Sequence, residues 1–212
     1  MNMEIVKITG KGIDHETVKR AVAVLSGGGV VMHATDTCYG LAADVSSINA
    51  LERLYAIKKM STDKPVSMMV TGSLEAEKYA EFGDFARKLA KKFWPGPLTL
   101  VMNRYDSLPF FFNENTESVG IRCPDSEISQ ALIKEFGGPL TTTSANVSGR
   151  YEVYKVPDFL AQFGKDDLLP DLILDSGEIA KNAPSTIVSF DEKGPVIIRE
   201  GSLGAEVRAL LG

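Results

Sequence analysis

Short runs rich in β-forming residues alternate with amphipathic helical stretches along most of the chain. That alternation points to an α/β fold. Residues 3–8 read as a strand. Asp14 stands where it can cap a helix reaching about Ser26, with Val18, Ala21, Val22 and Leu25 on one face. The glycines at 27–29 stop that helix, and 30–33 is a buried strand. Ser46 or Ser47 caps a second helix that turns Ile48, Leu51, Leu54 and Tyr55 inward. Further on, 66–70 reads as a strand, 74–79 and 84–93 as helical, and 98–102 as a strand. The stretch 103–117, with Pro109 and the Phe110–Phe112 cluster, reads as irregular. Strands at 119–122 and 140–143 flank a helix at 127–135. A short helix at 157–162, strands at 172–174, 186–190 and 196–199, and a terminal helix at 205–211 complete the pattern. No repeat, low-complexity tract or linker divides the 212 residues, so one domain over 1–212 is expected.

Several classes of function are disfavoured by the same residues. The longest apolar runs are a handful of residues, against the roughly 20 needed to span a bilayer. Residues 1–7 lack the apolar centre of a signal peptide. A cytoplasmic chain without a membrane partner is therefore expected. Cys38 and Cys123 form no CxxC pair, and the only histidines are His15 and His33. That set does not furnish the usual structural zinc site, so no metal ligand from the protein is expected. In a reducing compartment the two thiols stay unpaired. The net charge of −5 and the absence of a basic block argue against a dedicated RNA-binding module, with local patches left open.

In α/β folds ligands sit in loops beyond the strand ends, so polar clusters there are the places to look for chemistry. Four segments qualify. Residues 34–41, Ala-Thr-Asp-Thr-Cys-Tyr-Gly-Leu, are a polar turn or a ligand loop. Residues 58–65 carry Lys58, Lys59 and Lys64, which either dissolve in water at a helix end or hold a polyphosphate. Arg122, at the end of the strand in 118–124, has the geometry to grip a carboxylate with two parallel hydrogen bonds. The hydroxyl run 141–144 with Asn146 offers donors to phosphate or carboxylate oxygens, or simply bonds its own backbone. Neither a P-loop nor a GxSxG elbow occurs, so a bound nucleotide would be held by another route.

Taken in order, these segments resemble the YrdC family of threonylcarbamoyl-AMP synthases. The Pro-Thr-Asp/Glu-Thr-x-Tyr-Gly-Leu pattern falls on 34–41, with Ala34 in place of proline. Phe-Trp-Pro-Gly-Pro-x-Thr is 93–99, Arg-x-Pro is 122–124, and Ser-Ala-Asn-x-Ser-Gly is intact at 144–149. Ser-Thr-x-Val falls on 185–188 and Arg-x-Gly on 199–201. The likeness runs from about residue 15 to residue 201.

The resemblance implies a twisted, open, mixed sheet with flanking helices around a deep cleft. It implies an ATP-using nucleotidyltransferase. Threonine's amine is carboxylated from bicarbonate or CO₂, and the carbamate attacks the α-phosphate of ATP and expels pyrophosphate. Mg²⁺ arrives with ATP, and downstream machinery transfers the product to tRNA as threonylcarbamoyladenosine. Threonine positions carry over to Thr35, Arg122, Thr142 and Ser185. Nucleotide positions carry over to Lys58, Thr62, Ser118, Ser144 and Arg199, with Lys58 and Arg199 also serving as catalytic cations. The pattern breaks at Met60, where the family places an arginine, and at Met69, often histidine. The first break implies a slow enzyme whose turnover Met60→Arg raises. Two other readings stand beside this one: a same-fold relative acting on another nucleotide or a tRNA-linked substrate, and a non-catalytic binder of double-stranded RNA.

Overall fold

A computed structural model of the chain describes residues 3–9, 12–191 and 194–211. In chain order its elements begin with β1 (Glu4–Lys7), α1 (His15–Ser26), β2 (Val31–Ala34), β3 (Tyr39–Ala42) and α2 (Ile48–Lys58). Then come β4 (Met68–Met69), α3 (Ser73–Ala76), α4 (Asp84–Phe93), β5 (Leu98–Asn103), β6 (Ser118–Arg122) and α5 (Glu127–Phe136). The chain continues through β7 (Leu140–Thr141), β8 (Thr143–Ser144), α6 (Val156–Leu160), β9 (Leu172–Asp175), β10 (Thr186–Asp191), β11 (Gly194–Arg199) and α7 (Gly204–Leu211).

The mixed α/β class holds, but the strands form two mixed sheets where one was expected. One sheet has the order β1-β9-β2-β3-β8 and the other β11-β10-β5-β6-β4-β7. The division has a local cause at 140–144, expected as a single strand to 143. Thr141 pairs with Met68 in the six-stranded sheet, while Thr143 pairs with Leu41 in the five-stranded one. Thr142, between them, donates its N–H to the Ser67 carbonyl at 2.7 Å. The chain crosses from one sheet to the other over this residue.

Each sheet has its own apolar cluster. Leu25, Met32, Leu41, Leu54, Leu132 and Phe159 belong to one, and Leu51, Tyr55, Met68, Leu89, Leu98 and Ile121 to the other. Helix α2 contributes to both clusters through residues on adjacent faces. Its start is capped by Ser47, whose Oγ accepts from Ala50 N, while Ser46 bonds Asp44 instead. Ile48 lies on the predicted inward face yet is 49% exposed, because the apolar face of α2 runs past the edge of the core at its first turn. Helix α1 begins as expected, with the Asp14 carboxylate accepting from Thr17 N at 2.9 Å.

A strand the pattern did not show is β3. Residues 39–42 sit within the segment read as a polar turn, but pair antiparallel with both β2 and β8 and are fully buried. Where β9 begins, Asp171 takes the Val30 N–H at 2.9 Å and both oxygens face Arg53 at 2.7 Å. That bidentate pair ties α2 to the five-stranded sheet.

Candidate active site

The four motif-bearing segments converge where the two sheets meet. The turn 35–38 leads into β3 and is fixed by one hydroxyl. Thr35 Oγ1 accepts from the Thr37 and Cys38 amides and donates to the Cys38 carbonyl at 2.7 Å. From the other sheet, Arg122 ends β6, and its guanidinium donates to Thr37 Oγ1 at 3.1 Å and to Asp36 Oδ1 at 2.5 Å. Arg122 is 6% exposed, and among the described residues its buried Nε finds no hydrogen-bond partner, nor does Asp36 Oδ2. Arg122 is thus already paired with Asp36, and its unmatched Nε is a costly buried donor that a ligand oxygen could satisfy.

Arg199, at the end of β11, reaches the same place. Its Nε donates to the Ser185 carbonyl at 3.0 Å and a terminal nitrogen to Ser185 Oγ at 2.8 Å. Ser185 Oγ also lies 2.9 Å from Thr99 Oγ1. Burial draws the Arg199 pKa down, and the positive charge of Arg122 adds to that, while the charge of Glu152 opposes it. These groups line a cavity of about 220 Å³. Nearly half of its lining residues carry hydroxyls: Thr35, Thr37, Thr99, Thr142, Thr143, Ser144, Ser67 and Ser185. Two guanidiniums set among hydroxyls and a single carboxylate, Glu152, can pair with anionic groups.

Of the nine residues expected at the site, six line this cavity: Thr35, Arg122, Thr142, Ser144, Ser185 and Arg199. Lys58, Thr62 and Ser118 are not among its lining residues. Lys58 closes α2 and is 3% exposed, with its ammonium on the Ser144 carbonyl at 2.5 Å, the Asn146 carbonyl at 3.1 Å and Asn146 Oδ1 at 3.3 Å. Burial lowers its pKa to about 8. In this state Lys58 holds the loop that carries Ser144. Thr62 is exposed on the turn after α2. Ser118 begins β6 and shares a strand face with Gly120 and Arg122, roughly 13 Å from Arg122 along the strand. Gly120 keeps that face low. A Cβ there would come within 2.6 Å of Ser67 Oγ.

The neighbouring cations do not line the cavity either. Lys59 pairs with Asp167 at 2.8 Å, and Lys64 reaches Ser148 Oγ at 3.5 Å. Met60 is half-buried and packs against the cluster under the six-stranded sheet. Cys38 and Cys123 are both free and buried, and burial pushes the Cys38 thiol up to about 11. That thiol is no nucleophile at neutral pH. Among the described residues no group of three or more His, Cys, Asp or Glu side chains converges as a metal site. None of their helices is long and apolar enough to cross a membrane.

Sequence reasoning did not assign a role to Asp36, Ser67, Thr99 or Glu152. Asp36 had a visible signal, as the sole carboxylate inside the 34–41 motif. Glu152 had none, since it lies in a motif-free stretch after Gly149.

A family model named Sua5_yciO_yrdC and described as telomere recombination matches residues 23–201. The chain belongs to this family. The threonylcarbamoyl-AMP synthase of Mus musculus is 37% identical over 195 residues, covering 88% of this chain and 67% of that protein. Among solved structures, P. abyssi Sua5 complexed with L-threonine superposes with a TM-score of 0.84 at 29% identity, over 95% of this chain and 58% of that one. E. coli YciO superposes with a TM-score of 0.83 at 25% identity, over 95% of this chain and 97% of that one. The present chain thus spans somewhat more than half of P. abyssi Sua5 and nearly all of YciO. The cavity at the seam is where the motifs shared with this family come together.

Proposed function

We propose that the protein is a threonylcarbamoyl-AMP synthase: it joins L-threonine, bicarbonate or CO₂, and ATP, and releases pyrophosphate. The observation that carries this reading is the delivery of two guanidiniums, Arg122 from β6 and Arg199 from β11, to one hydroxyl-lined cavity. The reaction brings together two anionic partners, a carboxylate-bearing amino acid and a polyphosphate. Relatives bearing the synthase name, and one such fold complexed with L-threonine, support it.

In this reading Arg122 takes the threonine carboxylate through its unmatched Nε, with Thr35, Thr142 and Ser185 around the amino acid. Arg199 and Ser144 meet the nucleotide, and charge moving onto the leaving pyrophosphate is stabilised by Arg199 and by Mg²⁺ carried on ATP. Lys58 acts from behind, by fixing the Ser144 carbonyl, while Thr62 and Ser118 keep the nucleotide roles that the resemblance gives them. No protein nucleophile is needed. The site's contribution is to hold two anions together and shelter a labile carbamate from water. The product would serve tRNA threonylcarbamoylation through a downstream transfer enzyme in the cytoplasm.

The test is pyrophosphate release with threonine, bicarbonate and ATP omitted in turn, run on the wild type and on Arg122→Lys. Release should require all three. In Arg122→Lys, loss of the charge-assisted bond to the carboxylate should cost about 2–3 kcal/mol, read as a raised KM for threonine in a folded protein. Release without threonine, or an unchanged KM in the variant, would defeat the reading.

A further inference from the structure

Glu152 is the one carboxylate among the residues lining the cavity. Nothing in the reading above uses it, and a negative charge in a receptor for anions works against binding them unless it faces a cation. Its position is fixed. The next residue, Val153, is fully buried and accepts the Tyr39 N–H at 3.0 Å, which pins the strand-like segment beside β3. Among the described residues its carboxylate has one long contact, the Tyr154 hydroxyl at 3.5 Å, and no ion pair within 4 Å. It lines the same cavity as Arg199 and Cys38, and it is half-buried there.

We infer that Glu152 is the ammonium-binding residue of the cavity, receiving the α-amino group of the amino-acid substrate. An amino acid enters as a zwitterion, and the two arginines can serve only its carboxylate. The remaining polar lining is neutral hydroxyl, plus a Cys38 thiol that burial keeps protonated. Glu152 is then the only lining group able to match the substrate's positive charge. An ammonium partner distinct from the guanidiniums also selects α-amino acids over simple carboxylates. A divalent cation is the less fitting occupant, because no second acidic side chain lines the cavity and a hard cation would draw its other ligands from the nucleotide alone.

This assignment rests on the synthase reading, and the experiment separates the two. L-threonine and 2,3-dihydroxybutanoate, which keeps the carboxylate and replaces the ammonium with a hydroxyl, are each titrated by calorimetry into the wild type and into Glu152→Gln, without nucleotide. Glu152→Gln should weaken threonine at least tenfold and leave the dihydroxy acid unchanged. Mg²⁺-ATP binding, measured in parallel, should be unchanged or tighter. Equal loss for both acids, unchanged threonine affinity, or a loss confined to Mg²⁺-ATP would overturn the role of Glu152 alone. A wild type that binds no threonine would overturn the synthase reading, and this assignment with it.

Discussion

His33 shows how one residue's surroundings set its chemistry. It lies on β2 directly opposite Gly40, is wholly buried, and has Nδ1 3.2 Å from the Ala34 carbonyl and 3.4 Å from Ser129 Oγ. Burial penalises the imidazolium and lowers the pKa to about 4. The unfolded chain, near 6.5, therefore binds a proton that the folded chain refuses between those two values. His33's contribution is intact above pH 6.5 and is lost as the pH falls from there toward 4. Urea unfolding at pH 7 and pH 4.5 should show the wild type losing roughly 2–3 kcal/mol more than His33→Gln. Equal losses in the two proteins would mean that His33 is charged in the fold. At this scale the sequence was a fair guide to placement: 30–33 reads as a buried strand, and Arg122 falls at a strand end. It was silent on pairing. That Asp36 holds Arg122, and that Glu152 faces the cavity, depends on contacts between segments 86 and more residues apart, or on a side chain in a motif-free loop.

Between elements, the motifs act as joints. Gly201 is tolerated against Pro184 and Ser185 only because it lacks a side chain, since a Cβ there would lie 2.2 Å from the Pro184 carbonyl oxygen and 2.6 Å from the Ser185 carbonyl carbon. Thr186 Oγ1 accepts from the amides of Gly201 and Leu203, locking the chain after β11 onto the start of β10. The Arg-x-Gly and Ser-Thr-x-Val patterns are thus one structure, whose purpose is to lay Arg199 on Ser185. Gly201→Ala should push the two segments apart, cost about 1–3 kcal/mol of stability as an overpacked contact, and weaken ATP binding more than threonine binding. Thermal unfolding and calorimetry on the variant read both effects, and ATP affinity equal to the wild type would show that Arg199 is not positioned by this joint. Helix boundaries at this scale follow capping and periodicity closely: 84–93 matches α4 end to end, and Asp14 caps α1. Strands were harder. Residues 39–42 lack the alternation of a half-exposed strand because every side chain there is buried, and a run of threonines carries no local mark of the sheet change at Thr142.

Across the molecule, α2 is the strut between the two halves. Ala50, Leu54 and Ile57 pack under one sheet, Leu51 and Tyr55 under the other, and Lys58 at its end grips the 144–146 loop. Ser148 N donates back to the Lys58 carbonyl at 2.7 Å, so helix and loop are held by both the side chain and the backbone of one residue. Lysine at the end of a helix ordinarily reaches water, which is why 58–65 reads equally well as a solvated end or a phosphate grip. Only the return of the loop across the seam draws Lys58 inside. If the ammonium serves chiefly as this clamp, Lys58→Met removes the donor from the Ser144 and Asn146 carbonyls and leaves buried acceptors unmatched, at about 1–3 kcal/mol. The loop should then loosen in the ligand-free protein, with faster amide hydrogen exchange at Ala145 and Ser148 while the amides of α4, remote from the seam, exchange as before. ATP affinity should fall as a consequence, because Ser144 is no longer held in place. Wild-type exchange at Ala145 and Ser148, together with weakened ATP binding, would instead show that Lys58 leaves the loop and meets the phosphates directly.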